Sequence, residues 1–311
     1  MRFNKTVLTA IIPIVVIIVY SLLFHVNPID VITSTSPFLI VLFFLTYVAS
    51  VGIISVRDML ITRLSYSTVF KARLLGNAVG LIIPGLAGPD LTRSVVYSLN
   101  DRGKLVEYFS LAIYEAFYDV VTISLMFILL FPLFFSPLAI PFLLVTLANI
   151  AGWGGGFAYV YIFSEKTNRL ESFIFSNFRQ AKNLAYYYSL AKRVIKNKLT
   201  PKEMFIYYII SGTGYVVQSI PILFLIHEFN LILAVYVFML YLSAELIPIP
   251  AGAGFAEYSL SIFLTPANVV RVRIFTLLSV LIGFIYINEI KLEELKKEFK
   301  NLKVDGSVSK G

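Results

Sequence analysis

Residues 82–94 read IIPGLAGPDLTRS and interrupt an apolar region with two prolines, two glycines, an aspartate and an arginine. Residues 247–259 read IPIPAGAGFAEYS and repeat the order of proline, small residues, glycine and carboxylate. Proline lacks an N–H donor and glycine is conformationally permissive, so both interrupt helices. We therefore expect each stretch to join two half-helices through a non-helical turn. The breaking residues are Pro84, Gly85, Gly88 and Pro89 in the first stretch and Pro248, Pro250, Gly252 and Gly254 in the second.

The composition is that of a membrane protein with several spans. The 311 residues are 58% hydrophobic and 14% charged, with a mean hydropathy of +0.84, whereas soluble domains are about 25% charged. The chain has no cysteine, which excludes disulfides and cysteine-based metal sites. Its two histidines, His25 and His227, are far apart in sequence, so we predict no histidine-built metal site and no cofactor.

Six apolar segments are long enough to cross a bilayer core of about 30 Å, which takes about 20 helical residues. They are residues 6–24, 37–56, 108–131, 138–163, 204–227 and 269–289. The first is longer than a signal-peptide core of about 7–15 residues, so it is predicted to remain as a helix. Regions 74–99 and 231–265 contain the two breaks, and irregular backbone at membrane depth must lie inside protein or beside a water-filled cavity.

The predicted fold class is thus all-α and integral to the membrane, with about six spanning helices and two re-entrant helix pairs. Residues 1–290 form one transmembrane domain. Within it, residues 164–203 form a basic amphipathic cytoplasmic loop, because apolar residues recur there at helical spacing. Residues 291–311 form a basic cytoplasmic tail.

The basic residues predict the orientation. With the N-terminus in the cytoplasm, all 26 lysines and arginines except Arg93, Arg271 and Arg273 fall in cytoplasmic segments, and these include Arg57 and Arg73. Both termini are then cytoplasmic, and the net charge of +8 reflects topology rather than nucleic-acid binding. Region 74–99 would enter from the cytoplasm and region 231–265 from outside, as in transporters built from inverted repeats. The alternative is that residues 231–247 span fully, which would weaken this symmetry.

Ionisable residues at membrane depth are candidates for a functional site. They are Asp90, Arg93, Glu115, Asp119, Glu245, Glu257, Arg271 and Arg273. Arg93, at the start of a half-helix, favours binding of a phosphate. A structural pair between Asp90 and Arg93 is the alternative, and helix capping is the alternative for Asp90 and Glu257.

Two further carboxylates share one face of the third span. Glu115 and Asp119 lie four residues apart, so at least one should be protonated, hydrated or paired with Arg93. Alternatively, Glu115 lies near the membrane interface. Glu245 is surrounded by apolar residues and needs a buried partner, for which Arg271 and Arg273 are the candidates. Gly152 and Gly156 form a GxxxG pair that predicts close helix packing.

Three motifs in this order resemble the membrane region of the lysylphosphatidylglycerol synthase/flippase-like family. They are GNAVGLIIPGLAGPDLTRS, AIYEAFYDVVTIS and LSAELIPIPAGAGFAEYSL, and the resemblance covers about residues 1–290. The sequence departs from the family pattern in three places. Pro89 precedes the acid of the first motif, Ala116 replaces an arginine in the second, and Ala251 replaces a glycine in the third.

The resemblance implies movement of an anionic or modified lipid between leaflets of the cell membrane. The expected function is therefore a lipid flippase or a transporter of lipid-linked glycans, which binds a phospholipid or polyprenyl-phosphate head group between the two re-entrant motifs. The family's soluble aminoacyl-transferase domain is absent from this sequence, so lysyl-lipid synthesis is not expected. Two alternatives remain open: a membrane-embedded transferase that uses a lipid-phosphate donor, and a structural or regulatory membrane protein. The oligomeric state is not predicted.

Overall fold

The computed structural model describes residues 5–83, 87–101, 105–163, 168, 171, 173, 185–198 and 200–289. These residues form helices and connecting turns, with no strand among them. In chain order the helices are α1 Lys5–Leu23, α2 Pro28–Ser34, α3 Pro37–Thr62, α4 Tyr66–Gly80, α5 Ala87–Asp101, α6 Leu105–Leu130, α7 Ile140–Phe163, α8 Ala185–Lys196, α9 Pro201–Leu223, α10 Leu231–Glu245, α11 Phe255–Ser261 and α12 Pro266–Leu281. Three short 3₁₀ segments, Pro137–Ala139, Pro250–Gly252 and Ile282–Glu289, connect or extend them.

Local sequence fixes where several helices begin. Ser36 precedes Pro37, and its hydroxyl accepts a hydrogen bond from the backbone N–H of Leu39. This satisfies a donor that has no partner within the helix, and proline suits the first helical position. Asn230 caps α10 in the same way by accepting from two backbone N–H groups.

Five helical segments are long and apolar enough to cross a membrane, and a bent pair could make a sixth. The five are Pro37–Thr62, Leu105–Leu130, Pro137–Phe163, Pro201–Leu223 and Pro266–Glu289. The bent pair joins part of α1 to α2 at an angle of 94°. The prediction of an all-α fold with about six helices of spanning length is therefore confirmed.

The end of α3 differs from the sequence prediction. The helix continues to Thr62 instead of ending at residue 56, so Arg57 and Asp58 lie within it and are fully buried. Arg73 on α4 is also buried. The expectation that Arg57 and Arg73 lie in a loop between spans was therefore wrong, because both lie in helices and their guanidinium groups find carboxylate partners inside the protein. The side of the membrane on which they lie stays a prediction.

The structure describes the second break in full and the first break only in part. Residues 84–86, which include Pro84 and Gly85, lie outside the described part of the chain. Gly88 and Pro89 were predicted as part of the first break, but they lie in the first turn of α5, where proline is tolerated. Helices α4, α5 and α10 each have 15 residues, so each is about 22 Å long and shorter than a bilayer core. The second break, between α10 and α11, contains Ala251, Gly252 and Gly254 at positive φ angles of 48°, 61° and 88°.

Close helix packing occurs at other glycines than the predicted pair. A Cβ atom at Gly152 or Gly156 would meet no atom within 4 Å in the described protein, so the predicted close packing there is not found. At Gly214 a Cβ atom would lie 2.6 Å from Cγ1 of Ile54, which shows that α9 approaches α3 closely. At Gly283 it would lie 1.9 Å from the carbonyl oxygen of Leu74. The last 3₁₀ segment thus packs directly on the backbone of α4.

The predicted cytoplasmic loop is described only in part. Helix α8 lies within residues 164–203 and packs on α6, whereas the tail at 291–311 lies outside the described residues. Lys192 on α8 is buried, and its Nζ lies 2.8 Å from a carboxylate oxygen of Glu171. At least one lysine of this basic loop, Lys192, is therefore buried in an ion pair and is not exposed at the surface.

Candidate functional site

A cavity of about 580 Å³ lies between the two broken regions. Pro89, Asp90 and Arg93 of the first region line it, and so do Glu245 and Ala251 of the second. Helices α3, α4, α6, α7, α9, α10 and α12 also contribute to the wall. The charged residues that line this central cavity are Arg73, Asp90, Arg93, Asp119 and Glu245.

A dense group of ion pairs forms one side of the site. Nη1 of Arg57 lies 2.8 Å from a carboxylate oxygen of Asp119, and Nη2 lies 2.8 Å from Asp58. Arg73 contacts the same two carboxylates, with its Nε 2.5 Å from Asp58 and its Nη1 3.1 Å from Asp119. Ser211 and Tyr215 on α9 bond to this group from the opposite side. Each carboxylate therefore bridges two arginines.

Arg93 belongs to the same network but is less completely bonded. Its Nη2 pairs with Asp90, and its Nη1 lies 3.2 Å from Glu115 and 3.7 Å from Asp119. Its Nε and Nη1 nevertheless donate no hydrogen bond within the described protein, although the side chain is buried. One carboxylate oxygen of Asp90 is likewise without a partner there. Glu115 accepts from the hydroxyl of Tyr97 at 3.1 Å.

Glycine at position 76 allows Arg93 to lie where it does. A Cβ atom on Gly76 would be 3.0 Å from Cγ of Arg93 and 3.0 Å from the carbonyl oxygen of Pro89. Gly80 lies one turn later on α4, and a Cβ atom added there would be 2.9 Å from Cγ of Pro89. The small residues of α4 thus let the start of α5 approach closely and hold Arg93 at the cavity wall.

Arg273 organises the second broken region. Its Nε lies 2.6 Å from Glu257, and its Nη2 donates to the carbonyl oxygen of Ala251 at 2.9 Å. The left-handed conformation of Ala251 is part of the turn that presents this carbonyl. Nη1 of Arg273 donates to the hydroxyl of Tyr241 at 2.9 Å and lies 3.3 Å from a carboxylate oxygen of Glu245. One fully buried guanidinium therefore joins α10, α11 and the break to α12.

The structure decides the alternatives for several predicted residues. Glu257 caps α11 by accepting from the N–H of Gly254 at 2.6 Å, and it also pairs with Arg273. Of the two candidates for Glu245, Arg273 is the partner. Arg271 lies apart from both clusters, because it donates to Thr35 at 2.8 Å and to Asn268. Glu115 is fully buried within the protein and lies beside Arg93.

Three residues of the network were missed from the sequence: Arg57, Asp58 and Arg73. The available signal was the Arg–Asp pair within VRDMLIT, where the apolar pattern of α3 continues past the charges. With the predicted residues, the structure forms two clusters of ion pairs. The first contains Arg57, Arg73, Arg93, Asp58, Asp90, Glu115 and Asp119, and the second contains Arg273, Glu245 and Glu257. Carboxylates outnumber arginines, so the site can accept protons or cations, while Arg93 can donate to an anion.

No set of three or more metal-ligating side chains occurs in the described ranges. Comparisons of the chain with protein-family models, with curated proteins and with solved structures found no match. The resemblance to the lysylphosphatidylglycerol synthase/flippase-like family therefore stays a prediction that rests on its three motifs.

Proposed function

We propose that this multi-pass protein moves an anionic lipid between the leaflets of the cell membrane. The lipid would be a phospholipid or a polyprenyl-phosphate-linked glycan, bound by its head group in the central cavity. One observation carries the proposal: Arg93 is buried, lines the cavity, and has two nitrogens that donate no hydrogen bond within the described protein.

A phosphate group fits this arrangement for a physical reason. A buried donor left without a partner costs about 1–3 kcal/mol, and Nε of Arg93 has neither a hydrogen bond nor an ion-pair contact among the described residues, so Arg93 gains from a ligand that accepts there. Phosphate oxygens are strong acceptors whose geometry matches the planar guanidinium. The cavity volume of about 580 Å³ is within the range of small-molecule sites, about 300–1,000 Å³.

The proposed transport also depends on topology. We place both termini in the cytoplasm, with α4 and α5 entering from that side and α10 and α11 entering from outside. The short helices and the shared cavity support this proposal, because half-helices in inverted repeats meet at a substrate site near the midplane. Movement of one half against the other would then expose the cavity to each side in turn.

The first experiment is native mass spectrometry of the gently purified protein and its Arg93→Ala variant. We expect the wild type to retain a specific phospholipid or polyprenyl phosphate that the variant loses. Arg271→Ala is the matched control, since it removes an arginine that does not line the cavity, and it should retain the lipid. Equal retention of bulk lipids by all three proteins would contradict the proposal and favour a structural or regulatory role.

The second experiment reconstitutes the protein in liposomes with a head-group-labelled phosphatidylglycerol. Transport predicts that wild-type protein exposes inner-leaflet probe to an external quencher faster than protein-free liposomes and faster than the Arg93→Ala variant. Turnover of the lipid-phosphate bond with a water-soluble acceptor would instead indicate a transferase. Equal quenching rates with and without the protein would contradict flippase activity for this probe.

A further inference from the structure

The cluster around Arg273 contains one carboxylate more than it can neutralise. Glu257 is bonded through both oxygens, to Nε of Arg273 and to the N–H of Gly254. Glu245 receives hydrogen bonds only at Oε1, from Tyr241 at 2.5 Å and from Arg273 at 3.3 Å. Its other oxygen accepts no hydrogen bond from the described residues. The single positive charge is therefore held by Glu257, and the charge of Glu245 is the one left over.

Glu245 also has access to the central cavity. Its side chain is 29% exposed, whereas Arg273 is fully buried behind it. Of the two carboxylates of this cluster, Glu245 is the one that lines the cavity with Arg93 and Asp119. A proton can thus reach Glu245 from the same space that a lipid head group would enter.

The other charged and titratable groups around Glu245 do not remove this surplus. They are Tyr47 on α3, Arg73 on α4, Asp90 and Arg93 on α5, Asp119 on α6, Tyr215 on α9, Tyr241 on α10, Glu257 on α11 and Arg273 on α12. The cavity wall has two arginines and three carboxylates, and both arginines already pair with acids. A phosphate added to this wall would bring a second uncompensated negative charge into the cavity.

We propose that binding of an anionic lipid in the central cavity is linked to the uptake of one proton by Glu245. The inference rests on the proposed function and deepens it, because it makes the proton a partner of the lipid. Protonation removes the surplus negative charge as the phosphate arrives at Arg93. The lipid phosphate and the proton then bind to side chains that line the same cavity.

The test measures binding of dioleoylphosphatidylglycerol to the detergent-solubilised full chain between pH 5 and pH 9. Uptake of one proton predicts that affinity falls with rising pH by up to about tenfold per unit, since the linkage slope equals the number of protons taken up. In Glu245→Gln the affinity should be nearly independent of pH. Glu228→Gln removes an exposed carboxylate and should keep the wild-type slope. His25 and His227 are exposed and do not line the cavity.

The outcomes separate the inference from the proposed function. Binding that requires Arg93 but has the same affinity at every pH would overturn the proton linkage and leave the lipid site intact. A slope that persists in Glu245→Gln would also overturn it. Binding that is unchanged in Arg93→Ala would refute the lipid site itself. If Glu245→Gln does not fold, a pH indicator in weakly buffered wild-type protein should report about one proton taken up per lipid bound, and no uptake would refute the linkage.

Discussion

Replacing Arg57 by glutamine tests whether the arginine network is buried as the structure has it. The guanidinium is fully buried and donates to Asp58, Asp119 and the hydroxyl of Ser211. Glutamine is shorter and uncharged, so it cannot replace these contacts. The variant leaves two carboxylates that only Arg73 still bridges.

The structure sets the expected magnitude. Removing one partner of a buried ion pair destabilises by about 3–5 kcal/mol, whereas an exposed pair contributes about 0–1 kcal/mol. Because Arg73 continues to pair with both acids, we expect the lower end, about 3 kcal/mol. The double variant Arg57→Gln/Asp119→Asn removes both charges of one pair, so it should be less destabilised than the sum of the single variants by about 0.5–3 kcal/mol.

The assay is the free energy of unfolding from a sodium dodecyl sulfate titration in mixed micelles, followed by circular dichroism. Arg63→Gln is the matched control, because Arg63 is exposed directly after the end of α3. Its effect should stay within about 0.5 kcal/mol. A loss below about 1 kcal/mol for Arg57→Gln would refute the buried network and return Arg57 to a solvated loop.

Three further predictions concern local features. Ala251→Gly relieves a left-handed alanine at φ 48° and should change the free energy of unfolding by about 0 to +1 kcal/mol, measured in the same titration; a loss above 1 kcal/mol would contradict the strained turn. Gly283→Ala puts a methyl group against the carbonyl of Leu74 and should destabilise by about 1–3 kcal/mol, and an unchanged value would contradict the contact. Burial raises the pKa of Glu171, but the hydrogen bonds from Lys192, Tyr159 and the N–H of Asn168, with the charge of Lys192, together hold the pKa below its ordinary value. The stabilisation is then present above the ordinary pKa of about 4.3 and lost as the pH falls below it. The protection factors of the α8 amides, which correct the exchange rates for intrinsic chemistry, should therefore fall on acidification, and constant protection factors would contradict this.

Sequence reasoning located the helices because membrane spans depend on length and apolar composition, which are local properties. A second local rule gave five of the candidate residues, because an ionisable side chain within an apolar segment is costly unless it has a partner or a function. These residues are Asp90, Arg93, Asp119, Glu245 and Glu257. Their pairing did not follow, because it depends on which helices are neighbours.

Arg57 and Arg271 show the limit of such reasoning. Arg57 lies near the end of an apolar segment, where a cytoplasmic loop cation and a buried network member look the same in sequence. Only the positions of α4, α6 and α9 around it decide the question. Arg271 and Arg273 are two residues apart on α12 and therefore point to different sides of the helix, and only Arg273 faces the second break.

The contact between Gly283 and Leu74 has a mechanical consequence. Two backbones that touch this closely cannot slide past each other without first separating, so α4 and the end of the last helix should move as one rigid body. An ion pair between Lys71 and Glu289, with Nζ and Oε1 2.8 Å apart, joins the same two segments. Lys71 lies three residues before Leu74, and Glu289 lies six residues after Gly283. We therefore expect α4 and the last 3₁₀ segment to keep their relative position in any rearrangement of the helices around them.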